Sequence, residues 1–440
     1  MEEIHIQMED NSPSIEHTLR PITYTSWFLG VGIPHPRKCH KSVTIILRII
    51  HLVLCSINAL HSMTNSYIDS IVINFKSDIY EFIFYINLVI TYVSTYYYIC
   101  QGIRQYDKWP ELMDKIEKFD QKIRREIPIN DKPVKNVEAL AILATLTCCL
   151  LWLIMYFLYY FYINPFVMFE SDSVFYFIPF QSLINSFVFD VVIYVLYYRL
   201  QAINKLIGQL DELSDALGIA LKIRCIQEMH NGIYDLIMMV NDIYGFYLLI
   251  CSVNCLTMVV SELFAIYVEI AMGDNSFMLI HIILSILYTM QFGLMCWICM
   301  LVRQEFDKTG IIICAIVLNF KHVNHKLKGR KSQSNLEMRI SVEGLNSGQN
   351  SIWNSSHYLN NVTKENLCKM NHDCIRNEIN DFLIQLQHQR VVFTACGFFE
   401  INNVVCTGFI GVIIVYLTIC IQFYKESDAD FIQKEERRRK

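Results

Sequence analysis

The sequence predicts an all-α membrane protein with seven transmembrane helices, and three observations carry that prediction. Of its 440 residues, 53% are hydrophobic, and they gather into blocks instead of scattering over the cores of two or three soluble domains. Each block runs to about 20 residues or more, the length a helix needs to cross hydrocarbon. Lys and Arg, finally, crowd into alternate segments between the blocks and nearly vanish from the others.

The elements follow in order. Residues 1–41 open MEEIHIQMED, which lacks the basic-then-apolar pattern of a signal peptide, so the first block is expected to serve as its own insertion signal. Spans are expected at 42–63, 79–101, 138–162, 173–199, 244–271, 278–302 and 403–424. The charged stretches 102–137 and 200–243 show helical periodicity, with Leu206, Leu210, Leu213 and Leu217 near one face in the second. They read as helices extending the spans into water. Residues 303–376 form a polar loop, and its Ser-, Asn- and Lys-rich part at about 324–370 has the composition of a disordered insertion. A helical pattern resumes over 377–402 and runs directly into the last block, so an anchor helix continuous with the seventh span is expected, followed by a tail at 425–440.

Charge sets the orientation. With the N-terminus inside, the internal segments carry 29 Lys and Arg, whereas the three external loops carry only Lys76. The positive-inside rule therefore makes the N-terminus cytoplasmic and the C-terminus extracellular. The tail, with six basic residues after Phe423, points the other way, but the first helices usually dominate orientation. An internal N-terminus argues against a G-protein-coupled receptor, and neither a DRY-like triplet nor an NPxxY-like end is present. No Gly-rich phosphate loop, metalloprotease helix or nucleophile arrangement appears, so no enzyme activity, cofactor or nucleic-acid partner is expected. Cys296-Trp-Ile-Cys299 has redox spacing but lies inside an apolar block. Cys368, His372 and Cys374 lack the fourth ligand of a structural zinc site, so no metal is expected.

Two groups of residues are candidates for function. In the last block, Gly408, Gly411, Val415, Ile419 and Gln422 share one helical stripe with Phe423 beside it, and Tyr416 and Thr418 lie between. Small residues permit close helix approach, and apolar side chains ending in an amide would suit a pore that gates by dewetting. An ordinary packed helix with a hydrogen-bonded Gln fits the same pattern. In the sixth span, His281, Ser285 and Tyr288 share a face; in the fourth, Gln181 and Asn185 do, with aromatics such as Tyr160 nearby. Polar groups among aromatic walls suit a small-molecule pocket in the outer half of the bundle, or anchor the helices at the interface. Arg48, His51, Asp190 and Glu262 lie inside spans, where an unpaired charge costs at least ~2.5 kcal/mol. An acid is the expected partner of Arg48, and a salt bridge that of Asp190.

The stretch VYLTICIQF, Val415 to Phe423, resembles the T-Y-h-h-h-h-h-Q-F signature (h, hydrophobic) of insect gustatory receptors. Tyr416, Gln422 and Phe423 match in place; Val415 stands where the family has Thr, and Thr418 interrupts the hydrophobic run. The FTACGFFEIN segment, Phe393 to Asn402, and the pattern Glu378, Ile379, Phe382, Gln385, Leu386 are also similar to that family. The resemblance implies a ligand-gated, non-selective cation channel in the plasma membrane of sensory neurons. Four identical or related subunits would surround a pore lined by the last helix. It further implies that Gln422 and Phe423 sit at the extracellular gate, that Tyr416 braces the helix against a neighbour, and that a sugar or bitter tastant binds in the outer half of the other helices. Membrane lipid and permeant cations complete the expected partners. An insect odorant receptor and a secondary transporter are the alternatives; the Tyr–Gln–Phe end argues against the first, and the lack of inverted repeats and broken helices against the second.

Overall fold

The computed structural model describes residues 14–72, 78–162, 178–212, 216–273, 278–342 and 375–439. Eleven α-helices, one 3-10 turn and one short hairpin are the elements of these residues: α1 (Ile15–Thr18), α2 (Arg20–Phe28), α3 (Lys41–Val72), α4 (Asp78–Arg104), α5 (Lys108–Arg124), α6 (Lys132–Tyr162), α7 (Ile178–Gly208) with the 3-10 turn Gln209–Glu212 at its end, α8 (Ala216–Met272), α9 (Met278–Val342), α10 (375–388), β1 (Thr394–Ala395), β2 (Phe399–Glu400) and α11 (Asn403–Arg439). Six of them, α3, α4, α7, α8, α9 and α11, contain stretches long and apolar enough to cross a membrane. The block expected at 138–162 falls in α6, a 31-residue helix.

Helix length shows how the bundle is built. A helix of 57 residues such as α8 is about 85 Å long, nearly three times the thickness of the hydrocarbon. Its apolar half packs in the bundle, and its more polar half packs against α5, with Gly232 beside Phe119 and Glu228 paired with Lys122. The amphipathic α5 buries Trp109, Leu112, Met113, Ile116, Phe119 and Ile123 on one side, which explains why so charged a segment folds at all. Helix α8 touches α4, α5, α7, α9 and α11 and forms the spine of the molecule.

The basic end of the bundle is closed by the segment between α2 and α3. Val31, Ile33 and His35 are buried, and Gly30 and Gly32 take φ of 72° and 69°, left-handed values that glycine adopts without strain. The Gly32 amide donates to the Tyr98 carbonyl at 3.1 Å. Arg48 is fully buried here; its guanidinium donates to the carbonyls of Gly30 at 3.2 Å and Pro34 at 3.3 Å. The expected acid partner is thus replaced by two backbone carbonyls, because the loop inserts where the charge must be satisfied. Gly102 allows this fit: a Cβ there would lie 2.1 Å from both Arg48 Nη1 and the Gly32 carbonyl oxygen. Gly102→Ala is therefore expected to cost about 1–3 kcal/mol by overpacking. Gly208→Ala, with no atom within 4 Å of its Cβ, should be neutral or slightly stabilising; melting curves of the two purified variants check this.

A second polar knot joins α5, α6 and α7. Arg199 Nε and Nη2 donate to the two Asp120 carboxylate oxygens at 2.7 and 2.8 Å, and Nη2 also donates to Asp131 at 2.7 Å. Arg124 pairs with the other oxygen of Asp131. The Arg199, Asp120 and Asp131 side chains are only 0%, 5% and 7% exposed.

Three expectations about element limits change. Helix α9 continues to Val342, past the expected start of the insertion at 324, because Lys, Arg, Gln, Leu and Glu are good helix formers whether or not they bury a face; 343–370 lie outside the described residues, as do Cys368, His372 and Cys374. The chain does not run helically from 377 to 402. It leaves α10 after residue 388 and forms the hairpin β1–β2, with Thr394 opposite Glu400 and Ala395 opposite Phe399. Cys396 and Gly397 have φ of 52° and 75°, the paired positive values of a type I′ turn. Branched Val391, Val392 and Thr394 favour the extended chain, and Asn241 Oδ1 accepts the Thr394 amide at 2.8 Å. Asn402 then caps α11 by accepting the Val405 amide at 3.0 Å. Finally, α11 does not stop at 424 but continues to Arg439.

Candidate functional site: the last helix and the buried polar core

Helix α11 buries one face only. Phe409, Ile413 and Tyr424 are buried; Phe409 stacks on Phe292 of α9 with centroids 4.1 Å apart, and Tyr424 meets Phe264 and Tyr267 of α8 edge-on. At 100° per residue, Gly408, Gly411, Val415 and Gln422 fall within an arc of about 60° on the far side. All four are exposed, Val415 to 56%. Among the described residues no atom lies within 4 Å of a Cβ placed on Gly408 or Gly411, so these glycines bring none of the described helices close. Ile419 and Phe423, 41% and 52% exposed, flank the stripe. Gln422 and Phe423 therefore project about 100° apart.

The two remaining polar groups of this helix behave differently. Thr418 donates its hydroxyl to the Ile414 carbonyl at 2.7 Å, so it is satisfied within its own turn. Tyr416 is half-exposed and lines an apolar groove with α4 and α8. Its hydroxyl has no hydrogen bond among the described residues.

The predicted pocket residues separate into two places. His281 Nδ1 lies 2.5 Å from Glu262 and Nε2 lies 3.7 Å from Glu269, which supplies the partner that the sequence left open for Glu262. Ser285 and Tyr288 are buried one and two turns further along α9. Gln181, however, donates to the Leu29 carbonyl at 2.8 Å, and Asn185 lies against Gly32, both at the basic end of the bundle. Ser182 is bonded by Gln291 at 3.3 Å, ten residues beyond His281 and so about 15 Å along the helix. Gln181 and Asn185 thus do not join His281 in one outer pocket. Helix α7 enters the described bundle at Ile178, already level with the N-terminal loop that Gln181 and Asn185 meet, and the outer end of the expected span, 173–177, lies outside the described residues. The Tyr160 side chain lies outside them too.

Buried polarity nonetheless concentrates between α7, α8 and α9. The side chains of Asn185 and Asp190, the Tyr244 and Tyr288 hydroxyls and Gln291 Oε1 are buried without a hydrogen bond among the described residues. Asp190 makes no salt bridge among the described residues; its surroundings are thiols, including Cys299 and Cys251. The bases that could have met it, Arg48 and Arg199, are held by the N-terminal loop and by α5. Cys296 and Cys299 are free and buried, in keeping with apolar packing. Sequence reasoning passed over Gln291 and Ser182, whose only signal was a polar residue inside a span.

Against this geometry stand the comparisons with known proteins. The family described as 7tm Chemosensory receptor matches over residues 19–338 and 336–427. The chain belongs to that family, the insect gustatory and olfactory receptor type. The receptor fold is similar to the insect olfactory receptor OR5 from Machilis hrabei, with a TM-score of 0.54 and 12% identity over 93% of this chain and 98% of that one. OR5 in complex with eugenol gives 0.54 and 11% over 92% and 97%. At such identity the likeness speaks for fold. No curated protein sequence matches this chemosensory receptor. It is a multi-pass membrane protein, not an enzyme by family, and its long bundle of apolar helices accords with that.

Proposed function

We propose that the chain is a gustatory-type chemoreceptor: a tastant-gated, non-selective cation channel of four identical or related subunits in the plasma membrane of sensory neurons. Its N-terminus is cytoplasmic, seven spans cross the membrane, and α11 lines the pore. The observation that carries this reading is the stripe of α11, Gly408, Gly411, Val415 and Gln422, which the described residues of the chain leave exposed along its apolar length. Such a stripe calls for copies of itself around an aqueous path, where Gln422 meets water and needs no partner in lipid. A sugar or bitter compound binding near His281, Ser285 and Tyr288 would shift α8 and α9. Phe409, stacked on Phe292, would carry that shift to α11.

Whole-cell recording with a panel of sugars and alkaloids tests this. Ligand-evoked, weakly selective currents far above the turnover of a carrier are expected, and a flux limited to carrier rates would replace the channel with a transporter. His281→Ala should raise the half-maximal tastant concentration at least tenfold, because Glu262 and Glu269 lose their shared partner beside the proposed pocket. The likeness to OR5 favours a second reading, an odorant receptor. The same panel extended to volatile phenols such as eugenol decides it: responses to volatiles alone would establish the odorant reading.

A further inference from the structure

Between α4, α8 and α11 lies a groove of about 420 Å³, within the size range of small-molecule sites. It is separate from His281 and from the buried polar core. Its walls include Ile83 and Ile86 of α4, Val260 of α8, and Ile419 and Phe423 of α11. Just beneath this surface on α4 lies Asn87, whose Oδ1 is buried and has no hydrogen-bond partner among the described residues, while the Tyr416 ring on α11 is exposed at the groove's edge. The Thr257 hydroxyl, also in the lining, spends its proton on the Val253 and Asn254 carbonyls at 3.0 and 3.1 Å and can only accept from a ligand.

We propose that this groove binds a small membrane-dissolved alcohol, an apolar body bearing one hydroxyl, with the hydroxyl on the Asn87 amide. The apolar walls select against charged or sugar-like ligands, whose other polar groups would be buried unpaired. A lipid acyl chain would fill the same volume but leave Asn87 orphaned. A hydroxyl can donate to the amide oxygen or accept from its nitrogen, so an alcohol satisfies either end. Because Ile419 and Phe423 form one wall, an occupant there pushes directly on the flank of the pore stripe. That consequence rests on the gate assigned above; binding does not.

The test uses the full-length receptor in phosphatidylcholine nanodiscs. A long-chain alcohol carrying a diazirine is compared with the alkane of equal length carrying the same group, and labelled peptides are mapped. The alcohol is expected to label α4, α8 or α11 at about tenfold lower concentration than the alkane, the difference one net hydrogen bond makes. Asn87→Leu should erase that difference while the alkane still labels, which also shows that the variant is folded. Equal labelling by both probes in the unaltered receptor overturns the proposal in favour of a plain acyl-chain groove. Absence of label from all three helices overturns it too, as it would if a second copy covered the groove. Selective labelling without any change in current would uphold the site and count against the gate.

Discussion

Replacing Arg199 by leucine is expected to destabilise the receptor by about 3–5 kcal/mol, the usual result of breaking a buried ion pair from one side. The guanidinium holds Asp120 through two hydrogen bonds of 2.7 and 2.8 Å and reaches Asp131 at 2.7 Å. Without it, two nearly buried carboxylates face each other, with Arg124 left to serve Asp131. Burial already pushes the Asp120 carboxyl above its ordinary range, and Arg199 draws it back. In the variant the upward push of burial and of the Asp131 charge outweighs what the more distant Arg124 returns, so the folded state holds a proton at Asp120 more tightly than the unfolded chain does. Stability must then fall as pH rises through the ordinary carboxylate range towards the raised folded value. The deficit against the unaltered receptor is accordingly expected to be smaller at pH 5 than at pH 7.5. Melting curves of the detergent-solubilised protein at the two pH values measure it. Arg199→Lys should recover only part of the loss, since an ammonium cannot reproduce the two-pronged hydrogen bonding to Asp120. A deficit that grew as pH fell would mean that the carboxylates remain ionised and find other partners.

That network shows what a sequence reveals in a protein of this kind. Six of the expected spans were legible because a bilayer imposes length and apolarity on each one separately, and α3, α4, α7, α8, α9 and α11 accordingly contain stretches long and apolar enough to cross. The extension of α7 and α8 beyond the apolar stretch was legible from periodicity. Pairings between distant segments were not. Arg199 lies at the end of a span and Asp120 79 residues earlier, and nothing local distinguishes this Arg from one that reaches into headgroups. Arg48 misled for a related reason: its partners are the carbonyls of a loop whose entry into the bundle depends on Gly30, Gly32 and Gly102, residues with no apolar or charged pattern. The hairpin before α11 escaped notice because FTACGFFEIN holds no proline, and its decisive feature is positive φ at Cys396 and Gly397. On α11 itself the stripe of Gly408, Gly411, Val415 and Gln422 could be read from spacing alone. That the chain leaves it uncovered could not, because exposure depends on where every other helix sits.

Phe423→Ala is expected to raise current in the absence of tastant at least tenfold. If the closed pore is held partly by apolar side chains excluding water, each Phe contributes a share of the about 1.5–3 kcal/mol that burying such a side chain yields. In the proposed tetramer four copies would act on one gate, so a net loss of only 1.4 kcal/mol from the closed state suffices for a tenfold change in the open-to-closed ratio. Gln422→Leu should act in the opposite sense. It extends the apolar stripe of Val415 and Ile419 by a turn, removes the amide that wets the mouth, and should lower maximal current at unchanged surface expression. Tyr424→Ala separates gating from folding: Tyr424 is buried against Phe264 and Tyr267 on the opposite face, so its loss should reduce the amount of receptor at the surface and leave the gating of the remainder unaltered. Because Phe423 flanks the stripe instead of centring it, the two gate variants need not agree. If Gln422→Leu reduced conduction while Phe423→Ala left basal and evoked currents unchanged, the constriction would belong to Val415 and Gln422, and Phe423 would be a wall of the groove beside it.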